Sequence, residues 1–131
     1  MKKYTEKRPW GGFERLTLNE HSSVKILTVN PRQRFSLQYH KKRKEFWKIL
    51  DNPAKVTIGK RIYQAKEGDE FFIFPKISHQ IEAYSRPVRI LEISFGKFDE
   101  DDIVRLEDIK VWTDRDLNPK PHPVWFCSNF F

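Results

Sequence analysis

A chain of 131 residues with 38 % hydrophobic and 33 % charged residues has the size and balance of one globular domain. Its 25 Lys and Arg outnumber 18 Asp and Glu, and the resulting net charge of +7 favours anionic partners, phosphorylated metabolites and nucleic acid among them. Apolar runs such as Phe71 to Pro75 fall far short of the roughly 20 residues of a membrane span, no apolar segment backs the basic start as in a secretory signal, and Cys127 is the single cysteine, so a cytoplasmic protein without a membrane contact is expected.

Between residues 13 and 96 the chain breaks into short segments rich in Val, Ile, Phe and Thr, many of them alternating and separated by turn residues. Strands are predicted over Phe13 to Leu18, Ser23 to Val29, Phe35 to His40, Phe46 to Leu50, Ala54 to Ile58, Arg61 to Gln64, Glu70 to Phe74, His79 to Ala83 and Val88 to Phe95. Asn30-Pro31, Asp51-Asn52-Pro53, Glu67-Gly68-Asp69 and Ser85-Arg86-Pro87 supply turns, and Gly59-Lys60 suits a two-residue hairpin with Gly at positive φ. The fold class is therefore all-β, a sandwich or barrel. Trp10, in an N-terminal arm, is expected to anchor one barrel end rather than to stack on a sugar. After Gly96, the acids Asp99 to Asp102 precede Ile103-Val104-Arg105-Leu106, a charge order that predicts one short helix. Residues 112–131 carry Pro119, Pro121 and Pro123 among Trp112, Trp125, Phe126, Phe130 and Phe131. They read as an extended tail outside a single domain spanning residues 1–111. Antiparallel barrels with aromatic tails often pair through an edge strand, so a homodimer is expected.

The candidate chemistry lies in Arg34-Phe35-Ser36-Leu37-Gln38-Tyr39-His40. Strand alternation puts Arg34, Ser36, Gln38 and His40 on one face. A polar row inside a barrel needs partners, because buried unpaired polar groups are costly. Glu45 follows after a short basic loop and His79 opens a later strand. Together with Gln38 and His40 they form a mixed nitrogen and oxygen set suited to a divalent ion. Zinc is expected, with manganese, iron, cobalt or nickel as alternatives. The competing reading makes Gln38 and His40 ordinary polar residues of a strand.

Six segments in unbroken order, Arg8-Pro9-Trp10-Gly11-Gly12-Phe13, Arg34 to His40, Arg43-Lys44-Glu45-Phe46-Trp47, Ala54 to Gly59, Phe74 to His79 and Glu100 to Asp108, together resemble the type II phosphomannose isomerase cupin. The same domain forms the C-terminal part of bifunctional mannose-1-phosphate guanylyltransferase/phosphomannose isomerase enzymes. The resemblance implies a cupin, a double-stranded β-helix or jelly-roll barrel, with Gln38, His40, Glu45 and His79 as metal ligands. It also implies metal-dependent interconversion of mannose 6-phosphate and fructose 6-phosphate. The chain departs from the family at several places. Lys42 and Phe46 stand where members often carry histidines, Arg32 where they carry a glycine, and Lys76-Ile77-Ser78 where they carry a glycine-rich turn. Nothing here resembles the glycine-rich nucleotidyltransferase motif.

Moving a proton between C1 and C2 of a sugar phosphate requires a base, a polarised carbonyl and cations for the phosphate. Arg34, Lys42 and Glu92 are the candidate catalytic residues. Glu92 is chosen because a carboxylate in the apolar strand Arg89 to Ser94 would have a raised pKa, although a structural pair with an inward Arg is its favoured alternative. Arg34, Arg43, Arg89 and Arg105 are the candidate phosphate-binding cations. Two other functions compete with isomerisation: a metal- and sugar-binding cupin without turnover, and a basic nucleic-acid-binding β-barrel.

Overall fold

The computed structural model describes residues 3–97, 99 and 101–106. Eleven strands are formed among these residues: β1 (Tyr4–Arg8), β2 (Gly11–Arg15), β3 (Ser22–Val29), β4 (Gln38–Tyr39), β5 (Lys44–Ile49), β6 (Ala54–Ile58), β7 (Arg61–Ala65), β8 (Glu70–Ile73), β9 (His79–Ala83), β10 (Val88–Phe95) and β11 (Val104–Arg105). Strands β1 and β2 form a hairpin, while the rest make a four-stranded sheet ordered β3-β10-β5-β8 and a five-stranded sheet ordered β11-β4-β9-β6-β7, with every pairing antiparallel. The sandwich architecture is thus as expected. The expected helix after Gly96 is not among the described residues. In its place Val104–Arg105 pairs with Tyr39 and Gln38, because a free edge on β4 offers ladder bonds that a single helical turn could not match. The aromatic tail, with Cys127, lies outside the described residues.

The interior has two halves. Leu27 and Val29 on β3, Val88 and Ile90 on β10, Ile49 on β5, Ala54 and Val56 on β6, and Ile81 and Ala83 on β9 interlock as one apolar core drawn from both sheets. Burying each large side chain there stabilises the fold by about 1.5–3 kcal/mol. Toward the other end the same inward faces turn polar: Lys25, Glu92, Ser94, Glu45, Gln38 and His79 are all buried. The four-stranded sheet also carries a second apolar cluster on its outer face, where Phe46, Ile93 and Phe95 are covered by Leu16 and Phe72.

The hairpin β1–β2 turns at Pro9-Trp10, and Trp10 is 74 % exposed, so it does not close a barrel end. Arg15 lies over the ring of its cross-strand partner Tyr4, 4.4 Å from the centroid. A Cβ at Gly12 would sit 2.5 Å from the Glu6 carbonyl oxygen, so this strand pair requires glycine there.

Two turns explain where the chain departs from its expected glycines. Gln33 N–H donates to the Asn30 carbonyl across Pro31-Arg32, and Ile77 N–H donates to the Phe74 carbonyl across Pro75-Lys76. Arg32 and Lys76 follow proline and have φ of 61° and 69°, the left-handed conformation that a type II turn demands at its third residue. A side chain costs about 1–2 kcal/mol there, while glycine costs about 0.5–1 kcal/mol more than alanine in unfolded-state entropy. Arg32→Gly and Lys76→Gly are therefore each expected to stabilise the fold by up to about 1 kcal/mol. Urea or thermal unfolding checks this, and a lowered midpoint in either variant would contradict the turn assignment.

Candidate metal centre

His40 leaves the end of β4, Glu45 lies on β5 and His79 opens β9, so the two sheets deliver three side chains to one point inside the barrel. All three are buried, with side-chain exposures of 1 or 2 %. Glu45 Oε2 is 3.3 Å from His40 Nε2, and Glu45 Oε1 is 3.6 Å from His79 Nε2. One potential ligand atom from each residue lies within 4.8 Å of the others.

The ring protons decide what this cluster can hold. His40 Nδ1 is 2.6 Å from the Asp102 carbonyl oxygen and His79 Nδ1 is 3.0 Å from the Ile77 carbonyl oxygen. A carbonyl only accepts, so each Nδ1 carries the hydrogen, and in the neutral rings both Nε2 lone pairs turn toward Glu45. Burial, opposed by the Glu45 charge, lowers the His79 pKa and keeps that ring neutral. Burial also pushes the Glu45 carboxyl up, while Arg43 and, when their rings are charged, His40 and His79 pull it down to about 2. Neither Glu45 oxygen nor His79 Nε2 has a hydrogen-bond partner. Acceptor atoms facing one another without protons repel unless a cation lies between them. Donors about 2.0–2.2 Å from an ion at tetrahedral angles stand about 3.3–3.6 Å apart, which is the spacing of the two Glu45–histidine pairs. The residues fit a divalent ion.

Gln38, the fourth expected ligand, is buried, stands opposite His79 in the β4–β9 pair, and accepts a hydrogen bond from Ser36 Oγ at 3.3 Å. Arg43 is a close neighbour of the centre rather than a rim cation. Its Nε lies 3.1 Å from Glu45 Oε2, and Nη2 lies 2.8 and 3.0 Å from the two ring nitrogens of His40. A single atom so near both nitrogens sits over the ring face, leaving the in-plane lone pair of Nε2 clear. Glu92 lies one row deeper, facing Lys25 on β3 and Trp47 on β5 across the sheet, and accepts the Trp47 Nε1 hydrogen at 3.2 Å. Burial, then the Glu45 charge, push its carboxyl up to about 8 against the pull of Lys25, Arg43 and the Trp47 hydrogen bond. Its neighbour across the sheet is thus a lysine, not the arginine expected.

Other expected site residues lie elsewhere. Arg34 is exposed, and its backbone forms an isolated antiparallel β-bridge with Glu82, three residues along β9 from His79 and so about 10 Å away. Strict alternation fails because Phe35 and Ser36 are both buried. Arg89 sits at the opposite end of β10 from Ser94, with its Nε 2.9 Å from Asp51 Oδ2. Lys42 is exposed, as is Arg105, which stands opposite Gln38 on β11. Phe46 packs in the outer cluster, so the loss of a family histidine there leaves the centre untouched. Lys25 and Asp102 were not foreseen. The inward parity of Lys25 with Leu27 and Val29 in Ser22–Val29 was the available signal for the first, whereas the contacts of Asp102 span more than 60 residues of sequence.

The model of the family described as mannose-6-phosphate isomerase C-terminal matches residues 1–108. The chain is 36 % identical over 112 residues to mannose-1-phosphate guanylyltransferase RfbM of Salmonella typhimurium, covering 81 % of this chain and 23 % of that protein. It is 34 % identical over 104 residues to the alginate biosynthesis protein AlgA of Pseudomonas aeruginosa, covering 78 % and 22 %. The chain thus spans less than a quarter of these relatives' length. Among solved structures it resembles oxalate decarboxylase from Bacillus subtilis (TM-score 0.61, 24 % identity, 66 % of this chain and 24 % of the other). It also resembles a cupin-superfamily sugar phosphate isomerase from Silicibacter pomeroyi (TM-score 0.54, 18 % identity, 61 % and 53 %). Both share the cupin fold.

The protonation of Glu92 yields a measurable pH dependence. A buried acid whose pKa rises from its ordinary 4.5 to about 8 holds a proton in the folded state that the unfolded state releases. Stability of chelator-treated protein is therefore expected to fall as pH rises from about 4.5 to about 8. Glu92→Gln should flatten this slope in urea titrations, and an unchanged slope would contradict the assignment.

Proposed function

The chain belongs to the mannose-6-phosphate isomerase C-terminal family, and from that premise we propose that it is a metal-dependent sugar-phosphate isomerase interconverting mannose 6-phosphate and fructose 6-phosphate. The observation that carries the reading is the convergence of His40, Glu45 and His79 on one buried point, where both Glu45 oxygens and His79 Nε2 have no hydrogen-bond partner. His40, Glu45 and His79 would hold the ion, with Gln38 as the adjacent oxygen donor. Bound there, a divalent ion supplies Lewis acidity toward the sugar carbonyl and the neighbouring hydroxyl.

The chain's own groups supply the rest. The Arg43 guanidinium, fixed against His40 and Glu45, puts positive charge where an enediolate develops negative charge. Glu92 is the group that accepts and returns the C1/C2 proton, since a carboxyl with a pKa near neutrality serves both directions of transfer. One Glu92 oxygen is tied by Trp47 and the other, Oε1, has no hydrogen-bond partner. Lys42 and Arg105, exposed on the segments flanking His40 and Gln38, are the cations placed for the phosphate.

A second reading, a cupin that binds metal and sugar without turnover, draws support from the tight enclosure of the ligands at 1–3 % exposure. Formation of fructose 6-phosphate from mannose 6-phosphate, followed by NMR with zinc, manganese, cobalt or nickel supplied in turn, separates the two. Turnover is expected with at least one ion, and metal-loaded protein that binds the sugar phosphate without converting it would leave the binding reading.

Two variants divide the roles. Glu45→Gln is expected to lose both bound metal and turnover. Glu92→Gln should keep its metal, measured by elemental analysis, while kcat falls by about 10²–10⁴. Retention of full activity in Glu92→Gln would remove Glu92 from the chemistry.

A further inference from the structure

The acidic run after β10 has one member that turns inward. Asp102 Oδ1 accepts the Lys41 N–H at 2.8 Å and Oδ2 accepts the Lys42 N–H at 3.1 Å, while its own carbonyl oxygen is 2.6 Å from His40 Nδ1. One residue therefore grips three consecutive residues of the loop that carries a candidate ligand. The grip is anchored just downstream, where Val104–Arg105 pairs with Tyr39 and Gln38 and the Leu106 N–H donates to the Leu37 carbonyl at 2.8 Å. On the other side of the loop, the Lys76 N–H donates to the His40 carbonyl at 2.6 Å.

We propose that Asp102 is a positioning residue for His40: its carbonyl fixes the ring proton on Nδ1 so that Nε2 faces Glu45, and its carboxylate locks the Lys41-Lys42 turn that keeps the two aligned. The inference rests on the reading of His40, Glu45 and His79 as a metal centre, and it deepens that reading by assigning the outer hydrogen-bond partner of one ligand. A ligand imidazole needs its second nitrogen held by an acceptor, and loss of such a partner weakens metal binding by about 10- to 100-fold. Removing the carboxylate strips two backbone amides of their acceptors at once. The segment bearing the carbonyl then loses its attachment to the loop, and the His40 ring is free to change tautomer or rotate. This role also accounts for an extended segment where the charge order predicts a helix, since a helix would turn the Asp102 carbonyl along its own axis, away from His40.

The test uses the full chain, Asp102→Ala, Asp102→Asn, and Asp101→Asn as the exposed control. Nitrogen NMR of the imidazoles in metal-free protein reads the tautomer, and competition with a chromophoric chelator reads zinc affinity. Expected are a single Nδ1-protonated form of His40 in the parent and mixed forms in Asp102→Ala. Zinc binding should be about 10- to 100-fold weaker in Asp102→Ala and unchanged in Asp101→Asn. Asp102→Asn keeps one acceptor oxygen but turns an NH2 toward the other amide, so an intermediate loss is expected. That milder variant decides the matter if Asp102→Ala does not fold. An unaltered tautomer with unaltered zinc affinity in the Asp102 variants would overturn the proposal. Should the parent bind no zinc, the metal reading fails, and the tautomer comparison still decides the role of Asp102.

Discussion

The barrel interior is organised around three buried polar groups that face one another, His40, Glu45 and His79. His40 Nε2, His79 Nε2 and the Glu45 carboxylate are pointed at one another by backbone carbonyls on the far side of each ring. Their negative ends are enclosed where solvent cannot screen them. Such an arrangement is stable only with positive charge supplied from within. Arg43 provides part of that charge over the His40 face, and a divalent ion among the lone pairs would provide the remainder. Glu92, one row deeper, feels the same field as a second negative group and responds by holding its proton.

The polar end of the cavity is possible because the other end is not polar. Leu27, Ile49, Val56, Ile81 and Ile90 are almost wholly buried and join the two sheets into one unit. His40, Glu45 and His79, drawn from both sheets, can then keep fixed separations. Phe46, Ile93 and Phe95 reinforce β5 and β10 from outside, so the strands that bear Glu45 and Glu92 are packed on both faces. A phenylalanine in place of a family histidine at position 46 therefore bears on packing rather than on chemistry.

Most strands were legible because turn residues bracket them. Ala54–Ile58, His79–Ala83 and Val88–Phe95 run where alternation and flanking turns put them, and Gly59 takes its positive φ in the two-residue hairpin. The centre was legible in part, since Gln38, His40, Glu45 and His79 stand out as metal-ligand types. Side-chain parity misled at Arg34, because only Gln38 and Tyr39 form a regular strand in that stretch and the consecutive Phe35 and Ser36 are both buried. Asp99 to Leu106 carries the charge order of a helix start, yet the decisive partners, the Lys41 and Lys42 amides and the β4 edge, are distant in sequence. Arg43 was placed among the phosphate-binding cations. Nothing in a run of four basic residues indicates that one of them folds inward.

Among the described residues, the hairpin at the start of the chain shares no ladder with either barrel sheet. It is tied down chiefly where Lys3 meets Glu14 and Glu70 and where Leu16 enters the outer cluster. Two strands standing alone in water are barely self-sufficient. An arm held in this way is expected to open and reclose while the barrel stays shut. Its amides would exchange with solvent far sooner than those of β5 or β10, and changes accumulated at Trp10 or Phe13 would leave the barrel interior unaware of them.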